Sequence, residues 1–255
     1  MRVSHLLATI ILAALALPAL AQDAPMRKVL VLSKTAGFRH TTCSYGKPIL
    51  TRVCEESGKF AATCTEDSRF INDDYLADVT CLVLNNTTGS FYTDEQKAAL
   101  LKYVREGGAV VGIHSATDSH YDWPEYRELM GGWFDGHPWH EEVTIKIEQP
   151  GHPACRHLGD EWVIVDEIYQ HRNWNRDELC VLMSLDPDGT DFTKPNMKRE
   201  DKDYATAWCR PYGEGRSFYV TLGHRDDVFD NPKFQEHVLN AMLWAVGDIE
   251  WECKP

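Results

Sequence analysis

GGAVVGIHSA, residues 107–116, decides how the rest of the chain is read. Residues 109–113 form an unbroken apolar run, the pattern of a strand buried on both faces of a parallel sheet. A helix is predicted before it, with Thr93 as cap, Gln96 closing a capping box and Gly107-Gly108 as the stop. After the strand, His114 occupies the centre of Gly112-Ile113-His114-Ser115-Ala116, where a sharp strand-to-helix elbow would thrust one side chain into a cleft. That side chain is an imidazole, and Ser115 sits at the wrong point of the turn to be a nucleophile. A Ser-His-Asp hydrolase is therefore not expected.

Outward from this unit, residues 28–33, 60–64 and 81–84 are similar apolar runs. Strands of this kind alternating with helices imply right-handed βαβ units around a parallel sheet. The pattern returns at residues 217–222. A closing helix follows, with Asn231-Pro232 at its start and Phe234, Val238, Ala241 and Ala245 on one face. Between these parts, Val143, Ile145 and Ile147 alternate with polar residues, as in a half-exposed strand. Further strands are expected at 163–169, 179–185 and 204–209, with a turn at 186–189. The expected fold is α/β, a three-layer doubly wound, mostly parallel sheet with an antiparallel β extension in the middle section. A single domain is expected over residues 22–255, its core at about 27–247.

In open α/β sheets, ligands bind beyond the carboxyl ends of the strands. The residues found there are Arg39-His40, Asn85-Asn86, His114 and His224-Arg225. His114 is thus expected to be a general base, a metal ligand or a substrate contact. Two more groups stand out. Gly136-His137-Pro138-Trp139-His140 reads as a loop bearing two histidines, and Asp166-Glu167-Ile168-Tyr169 as a strand with Glu167 and Tyr169 on one face. Imidazoles with a carboxylate are the usual ligands of zinc and similar ions, so His114, His137, His224 and Glu167 are the candidate metal ligands. His120, His152, His157, His171 and His237 lie away from strand ends and read as structural. Trp123, Trp133, Trp139 and Trp174 can serve either as sugar-stacking platforms or as core.

Arg2, an apolar run over residues 6–17 and Ala19-Leu20-Ala21 have the form of a secretory leader cleaved after Ala21. The run is too short for a comfortable membrane span, so the mature chain is expected to be periplasmic or secreted, without stable membrane insertion. Loss of Arg2 takes the formal charge from −13 to −14, which argues against nucleic acid as a partner. Eight cysteines in an exported chain permit disulfides, one or two at most, with the pairing open. Cys81, Cys180 and Cys209 lie in strand-like runs and read as small core residues.

Ordered motifs along residues 27–247 resemble the ThuA-like, trehalose-utilisation family. They are Gly37-Phe38-Arg39-His40, GGAVVGIH (107–114), Trp123-Pro124-Glu125-Tyr126 with GGWFDGH (131–137), Asp166-Glu167-Ile168-Tyr169, and WCRPYGEGRSFYVTLGH (208–224). The resemblance implies a flavodoxin-like fold similar to class I glutamine amidotransferases. It does not imply their chemistry, because His114 occupies the position of their catalytic cysteine. The implied substrate class is a glycoside or 3-keto-glycoside, acted on by a hydrolase, lyase or isomerase. His114, His224 and Glu167 are then the expected catalytic groups, and Arg39, His40, Asn86, Tyr169 and Arg225 the expected substrate contacts. A divalent metal, zinc or manganese, is the possible cofactor. The alternatives are a non-catalytic sugar-binding protein using the same cleft and a structural or partner-binding envelope subunit.

Overall fold

The computed structural model describes residues 26–252, so the leader reading for residues 1–21 and Cys253 lie outside the described residues. The first half contains β1 (Arg27–Leu32), α1 (Thr42–Glu56), β2 (Phe60–Thr65), α2 (Asp73–Leu76), β3 (Val79–Asn85), α3 (Asp94–Arg105), β4 (Ala109–Ile113) and α4 (Pro124–Met130). The second contains β5 (Trp133–Phe134), β6 (Trp139–Ile147), β7 (Glu161–Ile168), β8 (His171–Arg172), β9 (Cys180–Leu185), β10 (Ala205–Tyr212), β11 (Gly215–Val220), α5 (Asp226–Asp230) and α6 (Pro232–Ala245). Nine strands form one sheet in the order β2-β1-β3-β4-β11-β10-β9-β6-β7, and β5 pairs with β8 apart from it. The pairs from β2 through β11 are parallel. Those from β11 through β7 are antiparallel. The doubly wound α/β fold with an antiparallel extension is therefore present.

Strand alternation explains why the parallel strands read as unbroken apolar runs. Val29, Val31, Val83 and Val111 pack with Leu50 of α1 and Phe234 and Val238 of α6 on one face. Leu30, Leu32, Leu84 and Val110 pack with Leu100 and Val104 of α3 and Leu129 of α4 on the other. Both faces are covered, and each buried aliphatic side chain contributes about 1.5–3 kcal/mol. At the outer β6–β7 end of the antiparallel extension only one face is covered. Trp162 and Ile164 of β7 are buried, whereas Val163 and Val165 are 52% and 37% exposed.

The capping box of α3 is formed by Thr93 and Gln96 as the sequence predicts. Three readings change. His140 lies within β6 rather than in a loop. All four tryptophans offered as sugar platforms are buried, Trp139 completely, and Trp139 Nε1–H is tied to Asp191 O at 2.8 Å, so they are core. Cys43, Cys54, Cys64, Cys81 and Cys155 are free thiols. Among the described residues no helix is long and apolar enough to cross a membrane.

Candidate active site

The carboxyl ends of β1, β3, β4 and β11 open onto one edge of the sheet, and the antiparallel β6–β7 pair adds its residues to the same place. His114, first after β4, has φ +49°, the positive-φ backbone of the elbow that its position in the sequence implies. The elbow is tight: a Cβ at Gly112 would stand 2.8 Å from Met130 Cε. His114 is fully buried. Its Nδ1 lies 2.6 Å from Thr221 O, and because a carbonyl only accepts, Nδ1 carries the proton. Nε2 therefore presents a lone pair to the cleft when the ring is neutral.

His40, after β1, is set edge-on to His114 and His224, with centroids 4.9 and 5.1 Å away. Ser115 Oγ–H donates to Asn86 Oδ1 at 3.4 Å and so accepts from His40 Nδ1 at 3.3 Å, which again leaves Nε2 free. Burial, reinforced by His114 and His224, pushes the His40 imidazolium down to about 3. It is neutral at physiological pH. Asn86 supports the wall from behind, its Nδ2 donating to Gly223 O at 3.3 Å.

Glu167 is the centre of the site. Its Oε2 lies 3.1 Å from His224 Nδ1 and 3.5 Å from His114 Nε2. Its Oε1 lies 3.5 Å from His137 Nδ1 and 4.0 Å from His140 Nδ1. His224 Nδ1 and His114 Nε2 are 3.3 Å apart. Burial alone would raise the Glu167 carboxyl, but the His114 and His224 imidazoles beside it outweigh that and hold the group well below the usual range. Burial likewise disfavours protonated His224, yet the hydrogen bond to Glu167 wins and raises its pKa. Tyr169 floors the site, its ring centroid 4.1 Å from that of His114.

The loop carrying His224 is fixed by Asp166, whose Oδ2 accepts from Gly223 N–H at 2.7 Å and whose Oδ1 accepts from Arg225 N–H at 3.1 Å. Gly223 has φ +115°, and a Cβ there would approach Ile113 Cγ2 to 2.8 Å. Only glycine suits that turn.

His40, Asn86, His114, His137, Glu167, Tyr169 and His224 are thus brought together. The guanidinium groups of the two arginines are each tied to a carboxylate. Arg39 is paired with Glu66 through both terminal nitrogens at 2.9 Å, and Arg225 with Asp227 at 2.8 Å. Arg225 nevertheless lies on the rim of the cleft. An open cleft of about 450 Å³ is lined by Thr41, His140, His224, Arg225, Asp226 and Asp227. His140, named in the sequence but given no role there, belongs to the site because β6–β7 pairing sets it opposite Glu167.

The fold and site define an amidotransferase-like α/β protein with a histidine–carboxylate cluster beyond the ends of its parallel strands. The chain belongs to the ThuA family, described as trehalose utilisation, whose match runs over residues 28–245. Membership associates it with trehalose and carbohydrate utilisation. A ThuA-like protein from Bacteroides uniformis is similar at 22% identity and TM-score 0.70, over 90% of this chain and 95% of that one. Another from Parabacteroides merdae is similar at 20% identity and TM-score 0.70, over 88% and 91%. A β-galactosidase from Bacillus circulans shares the fold at TM-score 0.55 and 12% identity, over 85% of this chain and 30% of that enzyme. No curated protein sequence matches the chain.

Proposed function

We propose that this is an exported enzyme of carbohydrate catabolism acting on a glycoside or 3-keto-glycoside. In this reading His40, His114, Glu167 and His224 hold a divalent metal, zinc or manganese. The observation that carries it is their convergence: one ligand atom from each lies within 4.8 Å of all the others. Zinc bonds of about 2.0–2.1 Å imply donors about 3.3 Å apart in a tetrahedron, and three of the edges here are 3.1, 3.3 and 3.5 Å. The Nδ1–H of His114 is held by a backbone carbonyl, the usual outer-shell support of a metal-ligating histidine. When bound, the metal would polarise a sugar carbonyl or hydroxyl.

Ordinary glycosidases need two carboxyl groups flanking the scissile bond. Here the neighbour of Glu167, Asp166, uses both oxygens on backbone N–H groups. A 3-keto group removes that requirement, because it acidifies the adjacent C–H and opens routes other than direct acid-assisted hydrolysis. The aromatic surface offered to a sugar is Phe38, 64% exposed, with its ring centroid 4.7 Å from that of His40. Stacking of this kind contributes about 1 kcal/mol. Phe38→Ala is accordingly expected to raise KM about fivefold while kcat stays within about twofold. Steady-state kinetics on an accepted keto-glycoside checks this, and an unchanged KM would remove Phe38 from the substrate's path.

The decisive experiment is elemental analysis of gently purified mature protein beside His114→Ala, with both assayed on 3-keto-glycosides. Stoichiometric metal and turnover, both lost in the variant, are expected. Turnover by metal-free protein would overturn the metal, and saturable sugar binding without product would make the protein a binder instead.

A further inference from the structure

The two oxygens of Glu167 face different pairs of imidazoles: Oε2 faces His114 and His224, whereas Oε1 faces His137 and His140. The second pair is superfluous to a four-donor site on the Oε2 side. We infer a second divalent-cation position, held by His137, His140 and Glu167 Oε1, with Glu167 bridging it to the first. The inference rests on the metal reading of the first site and adds a position to it.

The backbone places these donors independently of any ion. His140 on β6 is directly opposite Glu167 on β7, so both side chains rise from the same face of the sheet. Gly136, at φ +118°, turns the chain immediately before His137, and its carbonyl accepts from Gln170 N–H at 2.8 Å. Phe134 stacks on the His137 ring at 5.9 Å and an interplanar angle of 20°. The ring centroids of His140 and His224 are 4.9 Å apart, which sets the two imidazole pairs side by side. Carboxylate-bridged ions in two-metal sites lie about 3.5–4 Å apart, a span that suits donors on opposite oxygens of one carboxylate.

The two positions differ in access. His114 and Glu167 are 0% and 9% exposed at the side chain, whereas His137 and His140 are 52% and 48% exposed. Three protein donors with the remaining coordination open is the arrangement of catalytic rather than structural zinc. The outer position faces the cleft lined by His140 and His224 and is the more readily exchanged. Two adjacent cations suit a substrate bearing neighbouring carbonyl and hydroxyl oxygens. A 3-keto sugar carries that α-hydroxy-ketone unit, so the inference narrows the substrate class.

The test is zinc stoichiometry by elemental analysis after equilibrium dialysis, for wild type and for His137→Ala/His140→Ala. Manganese-loaded samples of both are examined by electron paramagnetic resonance. Two zinc ions per wild-type chain are expected, falling to one in the double variant, with a spin-coupled manganese signal in wild type collapsing to an isolated-ion signal. Both substituted side chains are half-exposed, so the variant should fold, and its circular dichroism spectrum verifies that. Wild type saturating at one zinc, or a folded double variant retaining two, overturns the second position while leaving the first. Wild type that binds none overturns both.

Discussion

Glu167→Gln is expected to reduce turnover of an accepted keto-glycoside on the order of 10²–10³-fold and to strip the protein of bound divalent metal. The substitution keeps the size and planarity of the side chain and removes only its charge. Four imidazoles approach the two oxygens of Glu167 within 4.0 Å, so no other residue of the site has as many partners there. A carboxylate supplies an anionic donor to each side, whereas an amide supplies one neutral oxygen and turns an NH2 group toward the other. His114, by contrast, keeps its tie to Thr221 O, and Asp166 still holds the His224 loop, so the framework survives. The metal-free variant should therefore melt within a few degrees of metal-free wild type. Kinetics, metal content and thermal melting of the same preparations separate lost chemistry from lost structure. A variant retaining both metal and turnover would sink the assignment of Glu167.

Much of the fold is legible because the strands are buried on both faces. Residues 28–33, 81–84 and 109–113 show no polar alternation, and each is a central parallel strand. Helix α1 is poorly signalled in the sequence, since it contains Gly46 and Pro48, the two poorest helix formers. Tertiary packing explains the glycine: a Cβ at Gly46 would stand 2.6 Å from Phe229 Cε1, so glycine is what lets that ring close onto the helix.

The site is legible where it depends on strand ends and illegible where it depends on register. His40, His114 and His224 follow strands and converge as the general rule for α/β sheets requires. Glu167 is signalled by alternation within β7. His140 depends on which residue of β6 lies opposite Glu167, and pairing register is a tertiary property that spacing along the chain does not carry. The pairing of Arg39 depends on tertiary structure as well. A guanidinium takes the nearest carboxylate, and Glu66, 27 residues away from Arg39, becomes a neighbour only after β1 and β2 pair.

Acid is expected to unfold the protein well before its surface carboxylates titrate. Burial lowers the pKa of His120 and His152 to about 4 and of His171 and His237 to about 3, from an ordinary value of 6.5. Their bonding fits the neutral form. His237 Nδ1–H donates to Ala154 O at 2.7 Å, and His152 Nδ1 accepts from Ala154 N–H at 3.1 Å. Neither ring nitrogen of His120 has a hydrogen-bond partner among the described residues, and the ring stacks on Tyr92 at 4.6 Å. Below pH 6.5 the unfolded chain binds protons that the folded chain refuses, so stability falls from there down toward pH 4. At pH 5 each histidine contributes a loss of about 2 kcal/mol, or about 8 kcal/mol for the four. Asp118 and Asp166, raised by burial, act in the opposite sense and offset part of it, because the fold takes up their protons before the unfolded chain does. A remaining loss of several kcal/mol is still a large share of the 5–15 kcal/mol typical of a folded domain. Urea unfolding at pH 7.5 and 5.0 measures it. His120→Phe, which keeps a ring against Tyr92 and cannot bind a proton, should reduce the dependence by about one proton. Equal stability at the two pH values, or an unaltered dependence in that variant, would show that these imidazoles do not remain neutral in the fold.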